Sequence, residues 1–448
     1  VTVSSWPQRS VLFEHGLAQL DAAVHSGDPA WLSELRQPAV LKYRQQGLPH
    51  ARQEAWRLTP LGPTLGTAFG LAAPAREEGR VLAEVQTLLG PPRGQRAVII
   101  NGRARLGAEA RQGPWHVATL ADSLARSTER GSLCRYLGQE APVSDGFVAL
   151  NQALFSDAVL AVLPRGQAPS EPFELVVVSV AEDRAVVSYP RVLLVVEEGS
   201  QARVVETHLA LASEQSCLCA PVAEVVVEPG AVLDHARILD GSVRAHSVGL
   251  TAVRQGAGSR YGSLVTTLGG RLSRLDLRVF LEGQGAECSL DGLYVAEGDE
   301  LVDHHTTIEH AQPRCTSLEH YRGIVSERAR SVFDGTIVVR RDAQKTSARQ
   351  ENRNLVLSDE AIVNTKPHLE IDADDVSCSH GATIGQISAD ELYYLRARGI
   401  DPEVGRALLT QAFARDLMDR VLPPWVGPNA MRRVLARLPM GDRLEGLS

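Results

Sequence analysis

Lysine is nearly missing from this 448-residue chain, occurring only at positions 42, 345 and 366. Arginine supplies the other basic residues, 46 in all against 54 acidic ones, and the net charge is −8. No stretch clusters its Lys and Arg, so the electrostatic footprint of a nucleic-acid binder is absent. Long hydrophobic runs are missing too. "LVVVSV" at 175–180 and "VLLVV" at 192–196 fall far short of the roughly 20 apolar residues that a membrane-spanning helix needs. The opening "VTVSSWPQRS" has neither the basic start nor the apolar stretch of an export signal. Cysteine is sparse, with six residues at 134, 217, 219, 288, 315 and 378 and no paired framework. That usage fits a reducing compartment and predicts a cytoplasmic protein. No GxxxxGK[ST] and no GxGxxG between strand and helix occurs, which removes the usual phosphate-cradling routes to nucleotide chemistry.

What is present divides into three regions: an N-terminal helical part over 1–92, a β core with its lead-in over 93–387, and a C-terminal helical part over 388–448. In the first, Asp28-Pro29 reads as an N-cap and first-turn pair before "PAWLSELRQPAVLKYRQQG", whose apolar residues recur at helical spacing. Pro38 interrupts that pattern, and two short helices are expected. "GPPRG" at 90–94 marks a boundary, and a short helix is predicted within 146–160.

From about 160 to 385 the period changes from helical to alternating. "FELVVVSV", "PRVLLVVEEG", "LRVFLEG" and "GTIVVRRDA" are short strand patterns, each closed by a polar or Gly turn. Turns at 197–202, 228–233, 255–260 and 283–288 lie about thirty residues apart, and later ones at about half that interval. Strand–turn units without intervening helices suit a solenoid, with a β-sandwich as the competing reading. The length of the region and its density of Val, Leu and Ile favour a parallel β-helix, whose open ends require a cap or a partner.

The C-terminal part carries strong helix signals. Ser388-Ala389-Asp390-Glu391 is a capping box, and Gly399 stands where a helix ends. Asp401-Pro402 opens a second helix that Pro423-Pro424 stops, and a third is expected near 429–438. Val404, Leu408 and Ala412 on one face, with Leu409, Phe413, Leu417 and Val421 beside it, make an apolar band that needs burial, on its own β core or on another chain.

Three clusters could carry chemistry. Cys378 and His380 in "DDVSCSHGAT" project from one face of an extended strand, so a sulfur and an imidazole, both good ligands for iron, zinc or copper, point to one place. Two ligands do not complete a site, and a buried thiol beside a hydrogen-bonded His is the plainer reading. In "DHHTTIEH", 303–310, alternation places His304 and His310 on one face and His305 and Glu309 on the other, so the set does not converge. Cys217 and Cys219 form a CxC pair without a second pair nearby, and read as structural cysteines.

The stretch 333–400 closely resembles the C-terminal core of the SufB/SufD family of iron–sulfur cluster assembly proteins. The resemblance rests on Phe333-x-Gly335, on Gln350-x-Asn352-x-Asn354-Leu355-x-Leu357-Ser358, on Lys366-Pro367-x-Leu369-Glu370-Ile371, on Cys378-Ser379-His380-Gly381-Ala382-Thr383-x-Gly385 and on Tyr394-Leu395-x-x-Arg398-Gly399-Ile400. "GLPHARQEAWRLTPL" at 47–61 and "GFVALNQALFSDA" at 146–158 are similar to the SufD side of the family. The essential cysteine of SufB has no counterpart in 350–358, where Asn352 falls at about its place, and "CSHGAT" is the SufD form of its segment.

The resemblance implies a right-handed parallel β-helix between helical ends. It also implies a scaffold without catalysis of its own that pairs with a SufB-like paralogue and docks a SufC-like ABC ATPase through about 388–421. Cys378 and His380 are then the residues offered to a transient iron–sulfur cluster shared with SufB, with no cofactor held tightly by the isolated chain. A homodimer standing in for the heteromer is also compatible. The alternatives are a metal-dependent enzyme using 303–310 and a purely structural β-helix partner. A β-helix carbohydrate enzyme is disfavoured by the lack of an export signal.

Overall fold

The computed structural model describes residues 10–22, 28–126, 135–211 and 213–440. Two long sheets face each other along its length. The first stacks eight parallel strands, beginning with Val159–Leu163 and ending with Leu301–His310, Arg330–Val339 and Ile362–Ile371. The second runs in parallel from Arg96–Ile100 to Glu287–Ala296, Thr316–Val325, Ser347–Val356 and Ser377–Gly385. From Val222–Val227 onward the chain alternates between them, so consecutive strands lie in opposite sheets and every second strand pairs. This is a parallel β-solenoid. The column Val222, Leu250, Asp276, His305, Asp334, Lys366 marks successive coils in register. The thirty-residue spacing of turns in the sequence is therefore one full coil, and the half interval is one strand with its turn.

Alternation decides what lies inside. Ala161, Leu194, Val225, Val253, Val279, Ile308, Ile337 and Leu369 form a single in-register ladder of aliphatic side chains. All but Leu369 are fully enclosed. Stacking like on like buries one side chain in two while each strand satisfies its neighbour's backbone groups. Aromatic rings cross the interior as well: Tyr294 stacks on His304, His304 meets Tyr321, and Tyr321 meets Phe333 with centroids 5.0–5.4 Å apart. Two glycines make room for them. A Cβ on Gly292 would stand 2.1 Å from the Tyr321 ring, and one on Gly323 at the same distance from the Tyr294 ring.

The two ends of the stack differ. At the N-terminal end, Arg103–Leu106 and His116–Thr119 close the sheets with antiparallel pairs. Helices Val11–Ala22, Ala30–Gln46 and Gly146–Leu154 build a second core there with Leu32, Tyr43, Phe147 and Leu150. The expected break at Pro38 does not occur, and Ala30–Gln46 is one helix. Its buried face, Leu32, Arg36, Ala39 and Tyr43, lies in this core, so tertiary packing outweighs the lost hydrogen bond. Arg36 also donates to the Ala153 carbonyl at 2.8 Å and pairs with Asp28. Asp28 is thus engaged in an ion pair and does not cap the helix, whose N-cap is Pro29. At the other end, the last strand of each sheet pairs on one side only among the described residues.

The C-terminal helices follow their signals. Ser388 accepts from the Glu391 backbone N–H, and Asp401 accepts from that of Glu403 at 2.8 Å. Ala389–Ala397, Pro402–Val421 and Pro428–Arg437 follow. Ala414, Leu417 and Met418 pack with Val434 onto Leu293, Val295 and Ile324, the outer face of the second sheet. Of the apolar band, Leu417 is buried there and Phe413 partly, while Val404, Leu408 and Leu409 are half-buried outside that cluster. No helix among the described residues is long and apolar enough to cross a membrane.

Candidate functional site at the open coil

Strand Ser377–Gly385 carries Cys378 and His380 on its inward-facing side. Cys378 is in register with Ala348, itself above Ser317 and Cys288, all three buried. His380 follows Gln350, Glu319 and Leu290 in the next inward column. In any earlier coil these positions are sealed. Here no further coil covers them among the described residues, so Cys378 is half-buried and His380 exposed. The sulfur and the imidazole therefore sit side by side at the mouth of the solenoid. Burial against the last coil pushes the Cys378 thiol up, partly offset by a backbone hydrogen bond at Ala348. A neighbouring charge or metal is what lowers a thiol such as this.

Behind the mouth the interior is polar. Glu319 is fully buried, and Gln350 Nε2 donates to its Oε2 at 2.6 Å. Burial pushes this carboxyl up to about 7, against the hydrogen bonds that favour its charge. Asn352 lies on the same inward face, donating to the Tyr321 carbonyl and accepting from Asn354 Nδ2 at 2.6 Å. It is one coil deeper than the exposed pair.

The 303–310 cluster is distributed as alternation requires. His304 and His310 point inward, where His304 Nε2 meets Thr267 Oγ1 at 3.1 Å and His310 Nε2 meets Ser317 Oγ at 2.9 Å. Burial lowers both rings to about 4, so they are neutral imidazoles within a core. His305 and Glu309 face outward. Asp303 is buried between Arg274, His305 and Thr59, and Arg274 lies 3.8 Å over the Trp56 ring. Burial alone would raise the Asp303 carboxyl; Arg274 and His305 outweigh it and hold it below the usual range. This group fastens the N-terminal region to the solenoid. No group of three potential ligands that could hold a metal ion occurs among the described residues.

Cys217 and Cys219 are buried on the short strand Cys217–Cys219. Close by is a set that residue patterns missed: Glu206 accepts from His208 at 2.6 Å and from His235 at 2.9 Å. The only trace in the sequence is the 29-residue separation of Glu206 and His235, the length of one coil. Cys134 lies outside the described residues.

Against known families, residues 178–413 match "SUF system FeS cluster assembly, SufBD core domain", and residues 12–175 match the "SufBD protein N-terminal region". The chain belongs to the SufBD family. Most of its solenoid, from residue 178 on, lies in the matched core, and the open coil with Cys378 and His380 falls inside it. An iron–sulfur cluster assembly SufBD family protein of Synechocystis is 32% identical over 89% of this chain and 90% of its own length. The iron–sulfur cluster assembly protein SufD of Escherichia coli is 28% identical over 91% of this chain and 94% of its own. SufD of Bacillus subtilis is 27% identical over 61% of this chain and 62% of its own. Membership in the family places this SufBD protein in SUF iron–sulfur cluster assembly.

Proposed function

We propose that this SufBD protein acts as a SufD-type scaffold without catalysis of its own, lending His380 and Cys378 to a nascent iron–sulfur cluster held between it and a SufB-like paralogue. The supporting observation is the uncovered terminal coil, which presents a thiol and an imidazole in an incomplete ligand set. Thiolate and imidazole both suit iron. A set short of two ligands holds a cluster only while a second chain completes it, which lets the cluster be released when the chains separate. The cluster is cargo here, not a resident cofactor. The unpaired edges of Ile362–Ile371 and Ser377–Gly385 suit strand-to-strand pairing with a related solenoid. Helix Ala389–Ala397 buries none of its residues and leaves Tyr393 74% and Tyr394 56% exposed. Aromatic surfaces of this kind anchor protein contacts, and this one is assigned to a SufC-like ATPase.

The decisive experiment is co-expression of the chain with a SufB-like paralogue and a SufC-like ATPase. His380→Ala should leave the complex assembled and reduce cluster content, read by the visible absorbance of the purified complex, by about tenfold or more, as expected when a metal ligand is lost. Cys378→Ser should have a smaller effect. An assembled His380→Ala complex with a full cluster complement would leave only the structural role. The second reading, an enzyme built on 303–310, has no observation in its favour, because its residues point to opposite faces.

A further inference from the structure

The outer face of the second sheet carries a cavity of about 330 Å³ between helix Glu78–Leu89 and helix Pro428–Arg437. Val176, Val205 and Ile238 give it an apolar floor, and Leu89, Val426 and Ala430 its apolar walls. The size falls in the range of small-molecule sites, roughly 300–1,000 Å³. The charged lining is Arg93, Arg96, Arg433 and Glu174. Glu174 is engaged on both oxygens: one accepts from Arg93 Nε at 3.1 Å and the other from Arg96 Nε at 2.6 Å. Arg93 also donates to the Trp425 and Val426 carbonyls at 2.7 and 3.0 Å, and Arg96 to that of Gly90 at 2.8 Å. Arg433 pairs with Asp240 at 2.8 Å, yet its Nη1 is buried and has no hydrogen-bond partner. A buried donor left over in this way calls for an acceptor. With Asp240 counted, three guanidiniums stand against two carboxylates, an excess of one positive charge.

We propose that this cavity binds a small organic monoanion, an apolar body carrying one carboxylate or sulfonate group. The acidic group accepts from Arg433 Nη1, in the charge-assisted bond that a guanidinium offers to an acid oxygen. The apolar body lies on Val205 and Ile238 and displaces water from them. Apolar walls alone would serve a neutral hydrocarbon as well; the unpaired donor and the unbalanced charge select the acid. Because Leu89, the sheet and Ala430 all border the cavity, the bound molecule touches the N-terminal region, the solenoid and the C-terminal helices at once. This inference is independent of Cys378 and His380.

The test titrates the full chain with anilinonaphthalene sulfonate, an aromatic monoanion whose fluorescence rises when it leaves water. Ala430→Phe fills the cavity from the helix side and Thr207→Phe from the sheet side; each should weaken the tightest binding by about tenfold or more. Two competitors then read the acid group in the wild-type chain. Naphthoate should displace the probe at about tenfold lower concentration than the neutral naphthylmethanol, as one hydrogen bond to a charged group is worth. In a chain carrying Asp240→Asn and Arg433→Met together, which removes the ion pair without leaving half of it buried, that advantage should vanish. Probe binding unchanged in folded filling variants overturns the site. Equal displacement by the two competitors in the wild-type chain, or an advantage that survives the paired substitution, overturns the selection of an acid. If the variants do not fold, the comparison of the two competitors on the wild-type chain decides.

Discussion

Glu319 shows how the solenoid interior alters a single side chain. Its carboxyl is raised to about 7 by burial, so between the ordinary carboxylate range and neutrality the folded chain holds a proton that the unfolded chain has released. Stability must then fall as pH rises through that window, because the folded state is the one that binds the proton. Glu319→Gln keeps the hydrogen-bonding shape and removes the titration. At pH 5 the variant should match the wild type, and at pH 8 it should be more stable by roughly 2–3 kcal/mol, one pKa unit being worth about 1.4 kcal/mol. Urea unfolding at the two pH values measures this; a constant difference across pH would show that Glu319 ionises normally. At the same scale, the split of His304 and His310 from His305 and Glu309 was legible from strand alternation. The fate of Asp303 was not, because its partners Arg274 and Thr59 lie 29 and 244 residues away.

At the scale of elements, the C-terminal helices do two separable jobs. Pro402–Val421 and Pro428–Arg437 cover the outer face of the second sheet, while Ala389–Ala397 stays on the surface. Replacing Tyr393 and Tyr394 together by Ala should leave the melting temperature within about 1–2 °C, since surface substitutions cost little. The same double variant should lose most of its capture of a SufC-like ATPase in a pull-down. Retained capture would move the docking surface elsewhere. The capping signals at Ser388 and Asp401 located these helices from sequence because capping is local chemistry. The uninterrupted helix through Pro38 was hidden, because it depends on the Gly146–Leu154 helix more than a hundred residues away.

For the molecule as a whole, the asymmetry of the two ends matters most. One is closed by helices and antiparallel strands; the other exposes a complete coil, including Ile384, which faces inward yet is 53% exposed. Ile384→Lys should leave the isolated chain as stable as before, because the position is already wet, and should weaken pairing with a SufB-like paralogue. Analytical ultracentrifugation of the mixture reads this directly, and unchanged association would place the pairing surface away from the open coil. A lysine at an edge is also a natural guard against unwanted strand pairing, so the variant alone should remain no more associated than the wild type.

The sequence by itself determined the repeat, the alternation and the helix ends, and with them the solenoid and the shared face of Cys378 and His380. Each depends on neighbours two to thirty residues apart, and such short-range patterns survive in one dimension. Only the tertiary structure decided that the last coil is uncovered, that the C-terminal part of the helical band folds back on its own sheet, and that Cys219 shares a crevice with His208. Those outcomes depend on which coil stacks above which, and on where stacking stops. Register between coils is set by the packing of whole layers and leaves no local mark on the residues it brings together.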